Sequence, residues 1–276
     1  MTVEANRELV VVKVGTDVLT RQDSFEWPTL DRYSFANIGR QVNELADGGV
    51  DVVLTTSAAI IGGHEYTHEE RTYGKDDTEA KQRMACLGQT TLMTAWQEGL
   101  SPRNAGQVLF TKKEIEDGEG EELKSLSLRL LADGDIPVAN ENDALSHEQI
   151  SFGDNDTLAA RYAVLLGSTG VFSRVRVVVL SDVHGVYEDI EDEGSVVELI
   201  DDIKGSEHLL VDKGEGFGTG GMAGKFAAAR ILNAAGIEMR LGHGKTGGAI
   251  EKLLADEMGT LFMDENAVDE DALVPA

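Results

Sequence analysis

Leu9-Val10-Val11-Val12-Lys13-Val14-Gly15-Thr16 is the stretch on which the fold turns. The run Leu9–Val14 has the length of a strand, is too short for an ordinary helix, and is rich in β-branched residues. Its apolar residues do not alternate with polar ones, so both faces are covered, as in a parallel sheet between helices. Further along, Val50–Leu54, Ile136–Ala139 and Val175–Leu180 repeat this texture, and Gln107–Phe110 and Ile237–Leu241 repeat it more weakly. Between these runs the apolar spacing turns helical. Phe35, Ile38, Val42 and Leu45 step by three and four before the Gly48-Gly49 stop, and Leu123, Leu126, Leu130 and Leu131 precede Gly134. Ala80 to Trp96 and Met222 to Ala235 also read as helices. Strands alternating with helices predict an α/β fold, a three-layer α/β/α sandwich around a mainly parallel open sheet. The expected organisation is one domain over residues 1–276, with a core from about 9 to 262 and an acidic tail over 263–276.

The 276 residues carry 24 Lys and Arg against 50 Asp and Glu, a formal net charge of −26. That balance argues against nucleic acid as a partner, because a polyphosphate backbone calls for a basic patch. Anionic membrane surfaces are disfavoured for the same reason, and no apolar run approaches the roughly 20 residues of a membrane helix. The polar start MTVEANREL lacks the basic-then-apolar order of a signal peptide. A single cysteine, Cys86, cannot form an internal disulfide. A cytoplasmic chain is the expectation. With 41% hydrophobic residues, the charge does not imply disorder.

Four segments with glycine, small polar residues and charge each follow a strand, where an open parallel sheet forms its ligand crevice. In the first, Lys13 in an apolar run is costly unless its ammonium meets a partner. It suits a phosphate, with Gly15 allowing close approach, or else it snorkels to solvent. The second, Thr55-Thr56-Ser57-Ala58-Ala59-Ile60-Ile61-Gly62-Gly63, is either an anion site at a helix N-terminus or an ordinary cap made by Ser57. The third couples Asn140-Glu141-Asn142-Asp143 with Phe152-Gly153-Asp154-Asn155-Asp156-Thr157. Its acids can accept from an ammonium group and its carboxamides can donate to a carboxylate, which suits an amino-acid substrate; a solvated turn is the alternative. Its spacing is not that of an EF-hand. The fourth, Gly218-Thr219-Gly220-Gly221-Met222-Ala223-Gly224-Lys225, opens a helix and reads as a phosphate cradle, or as a flexible turn with an incidental lysine. Phe226 after Lys225 departs from the Walker A pattern.

In order along the chain, VVVKVGTDVLT, TTSAAIIGG, MACLGQ, QVLFT, IPVANENDA, FGDNDTLAA, LSDVHGVY and GTGGMAGK together resemble the amino-acid kinase family, and within it the branch that phosphorylates glutamate. The resemblance runs from Leu9 to about Phe262. It implies ATP-dependent transfer of a phosphoryl group to the γ-carboxylate of L-glutamate, the first step of proline biosynthesis, by a kinase domain without the C-terminal RNA-modification-type domain that many relatives carry. It implies that Lys13 and Lys225 hold ATP phosphates and stabilise charge in transfer, with Asp156 orienting both. Ser57, Asp143, Asn155 and Asp154 would bind substrate. Lys13, Gly15, Ser181, Asp182, Thr219, Gly220, Gly221, Met222, Ala223, Gly224 and Lys225 would surround the nucleotide. Mg²⁺ is implied with ATP, held mainly by phosphates and water rather than by a protein cage. A homo-oligomer, dimer or tetramer, and proline as a feedback inhibitor are implied as well.

The γ-carboxylate is already a nucleophile, so the chemistry asks for alignment and cations rather than a general base. His64 and His68 read as loop residues and His184 as solvent-facing. The chain departs from the resemblance at Ala58, in a loop that usually reads Ser-Gly-Ala in the family and here reads Ser57-Ala58-Ala59. A methyl there would crowd a ligand or demand a negative φ. It departs again over Glu114–Ser127. Kinases of the same fold acting on acetylglutamate, aspartate, UMP or isopentenyl phosphate, and a non-catalytic sensor, are the alternatives. The NENDA and FGDNDTLAA segments favour glutamate, and the retained Lys13, Asp156 and Lys225 argue against a sensor. With 11 Lys among 24 basic residues against 50 acids, the excess charge belongs on the surface and resembles that of proteins from a salt-rich cytoplasm, where ions screen self-repulsion.

Overall fold

The computed structural model describes residues 7–22, 27–69, 74, 77–116, 120–146, 154–210 and 221–264. The chain runs β1 (Arg7–Val14), α1 (Thr16–Leu19), β2 (Thr20–Arg21), β3 (Thr29–Leu30), α2 (Arg32–Asp47), β4 (Asp51–Thr55), α3 (Ala59–Thr67) and α4 (Thr78–Leu100). It continues β5 (Ala105–Phe110), α5 (Lys113–Glu116), α6 (Gly120–Ala132), β6 (Ile136–Glu141), α7 (Asn155–Gly167) and β7 (Phe172–Ser181). Three short strands follow, β8 (Val186–Tyr187), β9 (Val196–Val197) and β10 (Leu199–Ile200), then a 3₁₀ turn over Gly205–Leu209. Last come α8 (Met222–Ala234), β11 (Glu238–His243), α9 (Ala249–Leu254) and β12 (Thr260–Phe262).

Eight strands form one sheet in the order β10-β12-β11-β7-β1-β4-β6-β5. Every pairing is parallel except β11 with β12. The opening stretch becomes its centre. Leu9 and Val11 join the core under α6, α7 and α8, while Val10, Val12 and Val14 join the core under α2, α4 and α9. These residues are fully buried, each stabilising the fold by about 1.5–3 kcal/mol, and the expected three-layer sandwich follows from that two-sided burial. By the same alternation Lys13 falls on the α7–α8 face. From β1 the chain passes to β4, then to the edge strand β5 and back to β6 between them, before building β7 and β11 on the other flank of β1. The carboxyl end of β1 therefore lies where the winding reverses, the position at which an open α/β sheet opens its crevice.

Local signals explain most boundaries. Asp31 starts α2 by accepting from Tyr33 N at 3.2 Å, and Gly49 leaves it at φ +85°. Strand β7 is longer than the run Val175–Leu180 predicts because Phe172, Ser173 and Arg174 extend it at the start and Ser181 at the end. Arg174 reaches Glu238 at 2.7 Å and Arg176 pairs with Glu8, so ion pairs on neighbouring strands accommodate a polar start. After β5 the short helix α5 is anchored at Glu114, which accepts from Thr111 N at 2.6 Å. His64 corrects an expectation. It is buried on α3, not in a loop, with Nδ1 2.9 Å from the Glu69 carbonyl. His68 does sit just past that helix, as its C-cap at φ +56°. Among the described residues no helix is long and apolar enough to cross a membrane. Most of the acidic tail, from residue 265, lies outside the described residues.

Candidate active site

Three buried charges meet at the reversal point. Lys13 reaches it from the end of β1, Asp156 from the first turn of α7, and Lys225 from the first turn of α8. Lys13 Nζ lies 2.6 Å from Asp156 Oδ1, and Lys225 Nζ lies 3.3 Å from Oδ2. The carboxylate is 1% exposed and each lysine 5%, so none of the three snorkels to solvent. Burial alone pushes the Asp156 carboxyl up, but the ammonium of Lys13 and then that of Lys225 outweigh it and hold the group below its ordinary value. One carboxylate between two ammonium groups leaves a net positive charge on buried side chains, where it acts on an anion more strongly than in bulk water. Gly15 keeps the approach open. A β-carbon there would stand 3.8 Å from the Lys13 ammonium and 3.2 Å from the Leu180 carbonyl.

The lysine of α8 is placed by close packing. A β-carbon on Gly224 would press into the Asp154 carboxylate, 3.0 Å from its Cγ. Asp154, expected at the substrate, is instead the N-cap of α7: its Oδ1 accepts from Thr157 N at 2.7 Å. Gly224 thus serves helix contact, and Met222, expected at the nucleotide, is buried in the core. Gly221 and Ala223 lie exposed at the helix start, whose cap uses no side-chain hydrogen bond. Thr219 and Gly220, like Phe152 and Gly153, fall outside the described residues.

On the other flank the β4 and β6 loops are tied together. Asn155 Nδ2 donates to the Thr56 carbonyl at 2.7 Å, Ser57 Oγ at 3.1 Å and Asn140 Oδ1 at 3.1 Å. The amide hydrogens expected to face a carboxylate ligand here clamp Ser57 against α7. Trp96 Nε1 donates to Thr56 Oγ1 at 2.8 Å from beneath. Ser57 does not cap α3. That place is taken by Ala58, which makes no side-chain cap and has φ +75°. The methyl therefore does not force a negative φ; the turn holds alanine in the left-handed region at a cost of about 1–2 kcal/mol. The start of α3 is left facing the crevice without a capping side chain.

Beyond Asn140 the end of β6 is acidic. Buried Glu141 accepts from the Ser146 hydroxyl, and Asp143 follows in the next turn. Burial, then the neighbouring Glu141 charge, pushes the Asp143 carboxyl up to about 7. A half-buried carboxyl so disfavoured as an anion is a natural receiver for an ammonium group.

At the ends of β7 and β11, Ser181 Oγ donates to Asp182 Oδ1 at 3.0 Å. Motif reasoning misses Asp17, on α1, although it stands two residues after Gly15. Its carboxyl is pushed up by burial and then by Asp182, against the pull of Lys245, Lys13 and Lys225. Lys245 is missed as well, although Gly-His-Gly-Lys after a strand repeats the texture of the other loops. Its Nζ donates to the Thr20 carbonyl at 2.8 Å. Asn140 enters the sequence pattern only as part of a segment, and the fold alone reveals it as the partner of Asn155. His184 is exposed, as expected.

Residues 8–243 match the Amino acid kinase family. A Thermus thermophilus protein named glutamate 5-kinase is 37% identical over 260 residues, covering 92% of this chain; the chain spans 66% of that relative's length. An Alkaliphilus oremlandii protein of the same name is 34% identical over 268 residues, covering 93% of this chain and 96% of its own length. Among solved structures, an isopentenyl phosphate kinase superposes with TM-score 0.61 at 19% identity, covering 92% of this chain and all of its own. A UMP kinase from Bacillus anthracis gives 0.62 at 14% identity, covering 93% and 96%. These two bear on the fold alone. With the family's ordered motifs converging on one buried lysine–aspartate–lysine group, the chain belongs to the amino acid kinase family.

Proposed function

We propose that this chain, as a single kinase domain, transfers the γ-phosphoryl group of ATP to the γ-carboxylate of L-glutamate, giving γ-glutamyl phosphate for proline biosynthesis. The observation that carries the proposal is Asp156 held between Lys13 and Lys225. A carboxylate acceptor needs no base, so the protein's work is to align it and to stabilise charge on the transferring group. Lys13 from the β1 end and Lys225 from α8 address that group from two elements, and Asp156 keeps their spacing without cancelling their charge.

The flank formed by Ser57, the α3 start and Asp143 suits the acceptor. The helix start takes a carboxylate, Ser57 adds a hydroxyl, and Asp143 takes the α-ammonium. Asn155 and Asn140 hold these loops in register. Relatives named for glutamate at 37% and 34% identity support this choice of acid.

Mg²⁺ accompanies ATP in this proposal. Among the described residues no three acidic, His or Cys side chains converge as a cage. Asp17 and Asp182, close enough to repel, fit a cation that the nucleotide phosphates mainly hold. When bound, the ion supplies charge neutralisation on the phosphates. Proline, which also carries an α-carboxylate and a protonated, ring-bound α-nitrogen, would compete at Ser57 and Asp143. The proposal includes a homo-oligomer, dimer or tetramer, in the cytoplasm.

The test is a trap assay. Purified protein with Mg-ATP and glutamate should accumulate hydroxamate when hydroxylamine is present. Turnover of another acid but not of glutamate would overturn the substrate; binding of ATP without turnover of any acid would leave a sensor.

A further inference from the structure

Helix α4 carries the MACLGQ segment, and one of its faces supports three parts of the acceptor flank. Gln82, Ala85, Gly88, Leu92 and Trp96 follow one another at steps of three and four, so they share that face. Trp96 holds Thr56, next to Ser57, through the hydrogen bond described above. A β-carbon on Gly88 would fall on the Ala59 carbonyl and on Gly63 N, so α3 and α4 meet backbone to backbone where α3 begins. Near the start of α4, Gln82 Nε2 donates to the Ser146 carbonyl at 2.9 Å. That contact spans 64 residues of sequence and reaches the turn that bears Asp143.

We infer that Gln82 is a positioning residue for the acceptor, fixing the turn from Asn142 to Ser146 so that Asp143 meets the α-ammonium group. The inference rests on the kinase reading above. The turn is closed on itself: Leu145 N and Ser146 N both donate to the Asn142 carbonyl, at 2.9 and 3.0 Å. Its near end is anchored to β5, where Asn142 N donates to the Phe110 carbonyl at 2.9 Å. Its far end is anchored to α4 through Gln82. Ser146 is buried and also donates its hydroxyl to Glu141, so the same anchor steadies both acids of the segment. An ammonium contact remote from the γ-carboxylate is made equally before and during transfer. Loosening it is therefore felt in KM and not in kcat.

Gln82→Met keeps the length of the side chain and removes the donor. The expected result is a glutamate KM raised about fivefold, the worth of one neutral hydrogen bond, with kcat and the KM for ATP unchanged. Glutarate, which has both carboxylates of glutamate and lacks the ammonium, should inhibit parent and variant equally. Gln89→Met loses a hydrogen bond of the same kind on the same helix, from Gln107 at 3.1 Å, and should leave the glutamate KM at its parent value. A parent-like glutamate KM in Gln82→Met, an equal loss of glutarate inhibition, or an equal rise in Gln89→Met overturns the positioning role while leaving the kinase reading intact. Failure of the parent to phosphorylate glutamate would overturn both.

Discussion

Gly224 is packed against the carboxylate of Asp154, the residue that caps α7, so the first turns of α7 and α8 touch where each carries a charge of the central group. Gly224→Ala would force a β-carbon into that contact, at a cost of about 1–3 kcal/mol partly offset by better helix propensity. The displacement separates Lys225 from Asp156, and kcat should fall about tenfold or more, since small misplacements cost much in transfer. A parent-like kcat would show that this contact does not set the lysine.

Lys225→Ala should lower kcat by about 10²–10³ while leaving glutamate binding nearly unchanged, because its charge is used on the transferring group. Steady-state kinetics decide this, and an unchanged kcat removes the role. Asp156→Ala should behave differently. It leaves two buried ammonium groups uncompensated, and denaturant unfolding should show a loss of about 3–5 kcal/mol. Since the Asp156 carboxyl is depressed in the fold, its stabilisation is present above the ordinary carboxylate range near pH 4 and disappears as the pH falls below it.

Asp143 gives the opposite pH signature. Its carboxyl is raised to about 7, so its contribution is most favourable below about pH 4 and is lost as the pH rises to about 7. Asp143→Asn should therefore stabilise the free protein by on the order of 2 kcal/mol at pH 8 and hardly at all at pH 4. An ammonium ligand would favour the ionised form. Glutamate binding near pH 6.5 should release a proton, visible as a buffer-dependent heat in calorimetry, and Asp143→Asn should abolish that release. Binding without proton release would place the ammonium elsewhere.

Ala58→Gly should stabilise. Glycine relieves the left-handed strain, about 1–2 kcal/mol, and gives back part of it through the entropy of the unfolded chain. A net gain of about 0.5–1 kcal/mol should raise Tm by about 2 °C. A lower Tm would mean the alanine methyl makes packing contacts worth more than the strain.

The charge of −26 yields a last expectation. The cations needed for transfer are buried, whereas pairs such as Arg83–Glu69 and Arg40–Glu44 are solvent-exposed and add little in dilute buffer. Molar KCl should raise Tm and activity by screening surface repulsion. Full stability without salt would mark an acidic protein with no such adaptation.

The layered fold is legible because burial leaves a local mark: Leu9–Val14 is apolar at nearly every position, and only a strand covered on both faces tolerates that. The loops are legible for a similar reason, since glycine and small polar residues after a strand have few other uses. Asp154 and Met222 are read too richly by motif alone. A carboxylate at a helix start serves as cap or as ligand with the same residue type, and packing separates the two. Asp17 and Asn140 escape notice because their partners, Asp182 and Asn155, lie far away in sequence.

Residue order alone specifies which chemistry the chain can hold: two lysines, an aspartate and an amide-rich loop, each at the end of an element that its own periodicity and turn residues define. What those groups do to one another is settled by the fold. The parallel winding reverses at β1 and brings Asp156 to 2.6 Å from Lys13 and 3.3 Å from Lys225. Charge coupling and desolvation depend on distance through space, which local patterns do not encode.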